Sequence, residues 1–345
     1  LDATVPCRVN SRRVNCLLSW FRPFIPALGM ALTLLCGWSY FSTFRQDVII
    51  PRWCNGKDSC YWEWTHSFIV IFFIVNIIGQ YLWSTFTCPG VVKPPHQNNT
   101  TMKSEKVETE QTQRFHDSTS PIIYHPSPYR SHCKSCEMER PPRAHHCRIC
   151  KRCIVEYDHH CPWINGCIGY NNYRSFLLLV FYVMLGCTYG SLMLGVDFYN
   201  MMKKRIQLHG FSIMGAEHRT GLLDLPLPWT LWKEFKSTGR IPEDVVLRAA
   251  FPFMLFVSVV MCWFCMSHLK LIASGLTTLE QVARPETDSF GYTTAFNPPN
   301  ERRKLVNPFD HGPRKNIQRV MGTSMIRLVL PLPSNPTPST CNKDN

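Results

Sequence analysis

The chain has 345 residues, of which 45% are hydrophobic and 18% are charged, and its formal net charge is +13. This length suits one large domain or two ordinary ones, but the apolar residues gather in long runs that contain few charges. The runs exclude a soluble protein with buried helices. Much of the positive charge flanks them, where anionic lipid headgroups explain it without a nucleic acid.

Four apolar runs predict membrane-spanning helices. Each is close to the roughly 20 residues that cross a bilayer as a helix. The runs cover residues 24–44, 66–86, 175–199 and 250–272. We therefore expect an all-α polytopic membrane protein with four transmembrane helices.

The basic residues predict the orientation of these helices. Most lysines and arginines lie in the two terminal tails and in the long segment between the second and third runs, which the positive-inside rule places in the cytosol. A basic triplet at 203–205 opposes this orientation, but it lies in a long loop, and long loops obey the rule poorly. In chain order the predicted segments are a cytosolic tail (1–23), two spans with a short exoplasmic loop (24–86), a cytosolic linker (87–128), a cysteine-rich module (129–174), two spans with a long exoplasmic loop (175–272) and a cytosolic C-terminal segment (273–345).

The first two spans carry two further signals. Cys54 and Cys60 lie in the short exoplasmic loop, where an oxidising lumen would allow a disulfide, and the sequence leaves this pairing open. Asn76 and Gln80 are four residues apart in the second run. Their shared helix face is predicted to point into the helix bundle and away from lipid.

The cysteine-rich module contains a repeat of metal-binding residues. The pattern C-x2-C-x9-H-x6-C occurs twice, and the second copy starts fourteen residues after the first. Three thiolates and one imidazole suit a closed, tetrahedral structural zinc site. We predict two structural Zn²⁺ sites, with a disulfide-rich loop as the alternative. The two ligand sets are Cys133, Cys136, His146 and Cys153, and Cys147, Cys150, His160 and Cys167.

Cys161 is the one cysteine of this module that the repeat leaves out. A third copy would place Ile164, Arg174 and Phe181 at the remaining ligand positions, and none of these side chains binds zinc. A thiolate is nucleophilic, and a neighbouring histidine or the field of a zinc ion lowers the pKa of a thiol. We predict that Cys161 is a reactive nucleophile.

The two residues before the zinc ligand His160 complete a catalytic arrangement. His159 is left to accept the thiol proton, and Asp158 can hold the tautomer of His159. Structural roles are the alternative. Asp158 could cap a turn, and His159 could repeat His145, which has the same place in the first copy and no assigned role.

The run Asp158-His159-His160-Cys161, within a cysteine-rich module between the second and third of four spans, resembles the DHHC family of protein S-acyltransferases, also called palmitoyltransferases. The resemblance runs from about residue 24 to about residue 322. It implies that the aspartate and the first histidine activate the cysteine. It also implies that the second histidine binds zinc and that both zinc ions are structural.

A motif just after the fourth span extends the resemblance. Residues 277–280, TTLE, match the TTxE motif of the family. In the family the second threonine of this motif is thought to contact the aspartate. The resemblance therefore implies that Thr278 supports Asp158.

Two other motifs depart from the family pattern. Residues 307–322 are similar to its C-terminal motif and place Asn316 at the characteristic asparagine, but Ile317 and Met321 replace aromatic residues. After the second span the family commonly has DPG, and here residues 88–90 read CPG. The turn is retained without its acidic residue.

The resemblance implies a two-step transfer of a long-chain acyl group, palmitoyl above all, from acyl-CoA to Cys161 and then to a protein thiol. The implied partners are acyl-CoA, the lipid bilayer and membrane-associated proteins with cytosolic juxtamembrane cysteines, without a nucleic acid. Both termini are expected in the cytosol. The family-based default compartment is an endomembrane, Golgi or endoplasmic reticulum, with the plasma membrane as the alternative.

Two other classes of protein compete with this interpretation. A membrane protein whose zinc module only binds partners would keep its function when Cys161 is replaced by serine. A nucleic-acid-binding zinc protein would bind in a salt-sensitive way and dissolve without detergent. The four spans oppose the second class, as does the lack of interleaved basic and aromatic residues in the module.

Overall fold

A computed structural model of the protein describes chiefly residues 60–93, 122–127, 129–209, 211–212, 220–221, 245–284 and 304–324, with isolated positions between 27 and 37, between 232 and 239, and at 330. The predicted first span at 24–44 and the N-terminal tail lie largely or wholly outside the described residues. Cys60 is disulfide-bonded, and Cys54 lies outside the described part of the chain.

Three helices are long and apolar enough to cross a membrane, at the places where the second, third and fourth apolar runs predict them. Helix α1 spans Tyr61–Phe86, α2 spans Tyr173–His209 and α3 spans Val245–Ala273. All three exceed the apolar runs, because the flanking residues continue the backbone hydrogen bonding of the helix. Asn76 and Gln80 of α1 are buried, which confirms the prediction that their face points away from lipid.

The cysteine-rich module consists of short β-hairpins, so the all-α prediction is wrong for this part of the chain. A Cys-x2-Cys knuckle requires a tight turn that brings its two flanking segments side by side, and antiparallel pairing satisfies their backbone N–H and C=O groups. The pairs are β2 (Ser131–Cys133) with β3 (Met138–Arg140), β4 (His145–Cys147) with β5 (Arg152–Ile154), and β6 (His159–Cys161) with β7 (Gly166–Ile168). Strand β1 (Ile122–Tyr124) precedes them.

The hairpins recur at the fourteen-residue spacing of the metal-binding pattern. They begin at Ser131, His145 and His159. Each turn has a left-handed residue at the same place, and these residues are Glu137 (φ 50°), Lys151 (φ 55°) and Asn165 (φ 50°). The third hairpin therefore repeats the backbone of the first two, although its sequence lacks their ligand set.

Asn172 attaches the module to the end of α1. Its amide Nδ2 donates to the carbonyl oxygens of Ser84 and Cys167, both at 3.0 Å, and its Oδ1 accepts from the Gly169 N–H at 3.0 Å. In the same region the Tyr81 hydroxyl of α1 donates to the carbonyl of Trp163 at 3.1 Å. Trp163 belongs to the 3₁₀ helix Pro162–Ile164, directly after Cys161.

The turn after α1 packs against the second hairpin. Gly90 has φ 99°, its carbonyl accepts from the Val155 N–H at 2.7 Å, and the Val92 N–H donates to the carbonyl of Cys153 at 2.9 Å. A Cβ atom at Gly169 would lie 2.7 Å from the Pro89 carbonyl oxygen. The turn therefore favours glycine at Gly90, in keeping with the CPG sequence, and its packing requires glycine at Gly169 on the segment that faces it.

The C-terminal described segment meets the end of α3. Helix α4 (Thr278–Val282) follows α3, and the C-terminal segment contains β10 (Lys304–Val306), which pairs in parallel with β1, and α5 (Pro313–Met321). The buried Asn316 of α5 donates to the Ala273 carbonyl at 2.9 Å and to Asp310 Oδ1 at 2.7 Å. Ile317 and Met321, which replace aromatic residues, are half-buried.

The chain divides into two compact units, one of residues 1–179 and 267–345 and one of residues 180–266. In the second unit α2 and α3 approach closely, because a Cβ atom at Gly190 would lie 2.5 Å from Met254 Sδ. The Phe198 and Phe251 rings stack there with centroids 4.4 Å apart. Its described residues also include the two-residue strands β8 (Phe211–Ser212) and β9 (Thr220–Gly221).

Candidate active site

Two groups of four side chains bring cysteine sulfurs and a histidine nitrogen together. Within each group the candidate ligand atoms all lie within 4.8 Å of one another. Tetrahedral zinc bound by sulfur and nitrogen separates its ligand atoms by roughly 3.5–3.8 Å. Examples here are 3.2 Å from Cys136 Sγ to His146 Nδ1 and 3.4 Å from Cys150 Sγ to His160 Nδ1. The groups are the two predicted sets, Cys133, Cys136, His146 and Cys153, and Cys147, Cys150, His160 and Cys167.

Each tetrad joins two successive hairpins. The first takes two cysteines from the first hairpin and a histidine and a cysteine from the second, and the second tetrad repeats this one hairpin further along. The second hairpin therefore contributes to both. With four protein ligands and no open position, zinc would act here as a structural cross-link.

Cys161 lies at the end of β6 and belongs to neither tetrad. It corresponds in the hairpin repeat to Cys133 and Cys147, the first ligand of each set. Its thiol is not in a disulfide, and the residue is 5% exposed. The repeat thus places Cys161 at the end of a strand, in the position of a first metal ligand, but outside both ligand sets.

Asp158 and His159 precede this strand end as a hydrogen-bonded pair. His159 Nδ1 donates to Asp158 Oδ2 at 2.6 Å, and the Asp158 side chain is 2% exposed. This bond occupies Nδ1, so the other ring nitrogen is left for the Cys161 thiol. Asp158, His159 and Cys161 therefore form the carboxylate–imidazole–thiol arrangement that the sequence predicts. Their catalytic roles stay a prediction.

The electrostatics of the pair favour a charged imidazole. Burial opposes the charge, but hydrogen bonds with Asp158 and Cys161 outweigh it and raise the pKa of His159 to about 9. Burial likewise opposes ionisation of Asp158, yet the His159 ring and the backbone N–H of Thr278 hold the pKa of Asp158 below its ordinary value. An imidazole of this basicity retains a proton taken from a thiol.

Thr278 donates two hydrogen bonds to the Asp158 carboxylate. Its backbone N–H donates to Oδ1 at 2.7 Å and its hydroxyl donates to Oδ2 at 2.8 Å. Both donors belong to the first residue of α4, which begins one short turn after the end of α3. The contact that the resemblance implies between Thr278 and Asp158 is thus present.

The other residues of the TTxE motif anchor α4. Thr277 and Glu280 form a capping box, in which the Thr277 N–H donates to Glu280 Oε2 at 2.8 Å and the Glu280 N–H donates to Thr277 Oγ1 at 3.3 Å. The same carboxylate accepts hydrogen bonds from Arg143 Nε at 2.8 Å and from Arg143 Nη2 at 2.7 Å. Arg143 lies in the loop before the second hairpin. Its bonds to Glu280 therefore attach the cysteine-rich module to the helix that contains Thr278.

Sequence reasoning missed Arg143 and Asn172. The Arg143 guanidinium is 6% exposed, lies 4.9 Å from the Phe309 ring centroid and donates to the Gly275 carbonyl at 3.1 Å. Its bond to Glu280 joins residues 137 positions apart. Neither residue belongs to a periodic pattern or motif in the sequence. Only the folded structure shows which residues they contact.

Comparisons with known proteins identify the family that the motifs resemble. The DHHC palmitoyltransferase family model matches residues 127–285, which confirms the resemblance drawn from the motifs. The chain is 26% identical over 340 residues to palmitoyltransferase ZDHHC15 of Xenopus laevis, covering 94% of this chain and 83% of that protein. It is 35% identical over 171 residues to ZDHHC20 of Bos taurus, covering 46% and 45%. It is 27% identical over 314 residues to probable protein S-acyltransferase 13 of Arabidopsis thaliana, covering 89% and 85%.

Zinc content tests the assignment of the two tetrads. The purified protein is expected to contain about two zinc ions per chain by elemental analysis, and Cys161→Ser to contain the same amount. Cys150→Ser removes one thiolate of a four-ligand site and should lower the content to about one zinc or less. Loss of zinc from Cys161→Ser, or full zinc in Cys150→Ser, would contradict the assignment.

Arg143→Gln tests the link between the module and α4. It leaves the buried Glu280 carboxylate without its counter-ion, which costs about 3–5 kcal/mol of stability and should lower the thermal unfolding midpoint in detergent. The matched control is Arg140→Gln, because Arg140 Nε contacts the exposed Ser131 hydroxyl and its loss should change stability by about 0.5 kcal/mol or less. Equal shifts for both variants would show that the Arg143 ion pair carries no special stability.

Proposed function

Because the chain carries a DHHC palmitoyltransferase domain over residues 127–285, we propose that it transfers a long-chain fatty acyl group, palmitoyl above all, from acyl-CoA to protein cysteines through an acyl-enzyme at Cys161. One observation supports this most directly. The thiol that the zinc repeat leaves free lies beside an imidazole held by a buried carboxylate.

In the first step the Cys161 thiol gives its proton to His159, and the sulfur attacks the carbonyl carbon of the acyl-CoA thioester. The bond from that carbon to the CoA sulfur breaks, and CoA leaves as a thiol after it receives the proton from His159. One thioester replaces another, so the step needs no large driving force. Asp158 keeps the imidazole in the correct tautomer throughout.

In the second step a cysteine thiol of a substrate protein attacks the Cys161 thioester. His159 takes the proton of the incoming thiol, the bond to Cys161 breaks, and Cys161 recovers a proton from the imidazole. The enzyme returns to its starting state with the acyl group on the substrate. The same base serves both halves because both are the same exchange in opposite directions.

The position of the thiol suits a substrate with an apolar tail. Cys161 precedes the 3₁₀ helix whose Trp163 carbonyl accepts a hydrogen bond from Tyr81, near the end of the membrane-length helix α1. An acyl chain bound at this thiol can extend among apolar side chains, where each buried CH₂ contributes about 0.8 kcal/mol. The anionic CoA head would remain in the basic cytosolic surroundings.

The topology and partners follow from the same reaction. We place the zinc module and both termini in the cytosol, where acyl-CoA is available, and expect membrane-associated proteins with cytosolic juxtamembrane cysteines as acceptors. An endomembrane, Golgi or endoplasmic reticulum, is the proposed compartment. No nucleic acid takes part in this reaction.

Acyl-enzyme formation tests the proposal. Wild type, Cys161→Ser and Cys262→Ser are purified in detergent and incubated with alkyne-tagged palmitoyl-CoA. Cys262 is an exposed thiol of α3 and serves as the control for removal of a cysteine. Wild type and Cys262→Ser should acquire a label that hydroxylamine removes, and Cys161→Ser should remain unlabelled with its zinc intact.

Two outcomes of this experiment would reject the proposal. Equal labelling of Cys161→Ser and wild type would place the acylated thiol elsewhere. No label on any of the three proteins, with about two zinc ions retained, would favour a module that only binds partners.

A further inference from the structure

A buried histidine lies close to the His159 imidazole and takes no part in the transfer steps. His268 belongs to the last turns of α3 and is 3% exposed. Its Nδ1 lies 2.9 Å from the Tyr173 hydroxyl, at the first residue of α2. The phenol donates this bond when His268 is neutral with its proton on Nε2.

His268 and Tyr173 belong to a cluster of rings that includes His159. The His268 centroid lies 6.2 Å from that of His159 and 5.6 Å from that of Phe176. Phe176 in turn meets His159 edge-on at 5.2 Å and stacks with Tyr173 at 6.5 Å. We name these four residues the ring cluster.

The ring cluster restrains a rotation of the His159 ring that its hydrogen bond to Asp158 does not prevent. A single hydrogen bond at Nδ1 keeps the His159 ring attached to the carboxylate, but the ring can still swing about that bond and carry its other nitrogen away from Cys161. Rings in contact on its sides resist this swing, because protein interiors are close-packed. Phe176 and His268 supply such contacts.

A histidine at this position needs its own anchor. Burying an imidazole without a hydrogen-bond partner is unfavourable, because the ring loses its hydrogen bonds to water. The Tyr173 hydroxyl supplies a partner and orients the His268 ring at the same time. It also joins the start of α2 to the end of α3 beside the reactive strand.

We propose that His268, held by the Tyr173 hydroxyl, is a positioning residue that keeps the His159 imidazole directed at Cys161. Its catalytic importance rests on the proposed acyl transfer. It acts on the reaction through His159. Removal of the anchor should therefore slow proton transfer without weakening the binding of acyl-CoA.

The test uses the full-length protein with substitutions on both sides of the anchor. Tyr173→Phe removes only the hydroxyl, and His268→Leu removes the imidazole with little change in volume. His268→Asn keeps an oxygen close to the position of Nδ1 that can accept the Tyr173 hydrogen bond. Tyr182→Phe is the matched control, since Tyr182 is another buried tyrosine of α2 and is not a member of the ring cluster.

Two rates are measured for each variant. The first is Cys161 acylation by palmitoyl-CoA, which gives a maximal rate and the concentration at half-maximal rate. The second is alkylation of Cys161 by iodoacetamide, quantified by mass spectrometry, which reports the reactivity of the thiol without acyl-CoA. Zinc content and the thermal unfolding midpoint show whether the fold is retained.

A base that is displaced by about 1 Å can lose roughly a hundredfold in rate, and loss of one of several restraints should cost less. We expect Tyr173→Phe and His268→Leu each to lower the maximal acylation rate about tenfold, with the half-saturating concentration unchanged within about twofold. The double variant should be no slower than the slower single variant. His268→Asn and Tyr182→Phe should remain within about threefold of wild type.

The proposal is overturned if Tyr173→Phe keeps the wild-type maximal rate with its zinc intact. It is also overturned if the variants change only the half-saturating concentration, because that would place His268 in acyl-CoA binding. If His268→Leu loses its zinc, Tyr173→Phe and His268→Asn decide the question. If wild type forms no acyl-enzyme, the proposed function fails, whereas the alkylation rates still show whether His268 supports the reactivity of Cys161.

Discussion

The Asp158 carboxylate is 2% exposed and accepts hydrogen bonds from His159 Nδ1 and from the N–H and hydroxyl of Thr278. A carboxylate so far from water is stable only with such donors, so the groups that supply them must be held in place. One donor comes from the zinc module and the others from the helix that follows α3. The charge therefore connects the reactive strand to the helix that follows α3, and it raises the pKa of the imidazole beside Cys161.

The zinc module provides the rigidity that this arrangement requires. Its fourteen-residue unit occurs three times as a hairpin and twice as a set of four side chains that could hold a metal ion. Cys161 therefore occupies a first-ligand position for which no such set exists. A small module with little apolar core depends on cross-links of this kind. Arg143 and Glu280 extend the connection, because their buried ion pair attaches the module to α4, in whose capping box Glu280 takes part.

Some of this was predictable from the sequence, and the reason differs from feature to feature. Metal ligation depends on spacing along the chain, so both tetrads and the exclusion of Cys161 could be predicted. Membrane-length apolar runs similarly predict α1, α2 and α3. The hairpins of the module were not predicted, because strands of three residues have no usable periodicity. Arg143, Asn172 and His268 act through contacts between residues far apart in sequence, and composition does not encode such contacts.

The most direct test of the account compares Thr278→Val with Thr278→Ser. Valine has the shape of threonine and removes only the hydroxyl that donates to Asp158, whereas serine keeps it. A hydrogen bond to a charged group contributes about 1.5–3 kcal/mol, so Thr278→Val should slow acylation and alkylation of Cys161 about tenfold or more. Thr278→Ser should stay within about threefold of wild type. Wild-type rates in Thr278→Val, with zinc retained, would contradict the claim that the buried carboxylate governs the reactivity of Cys161.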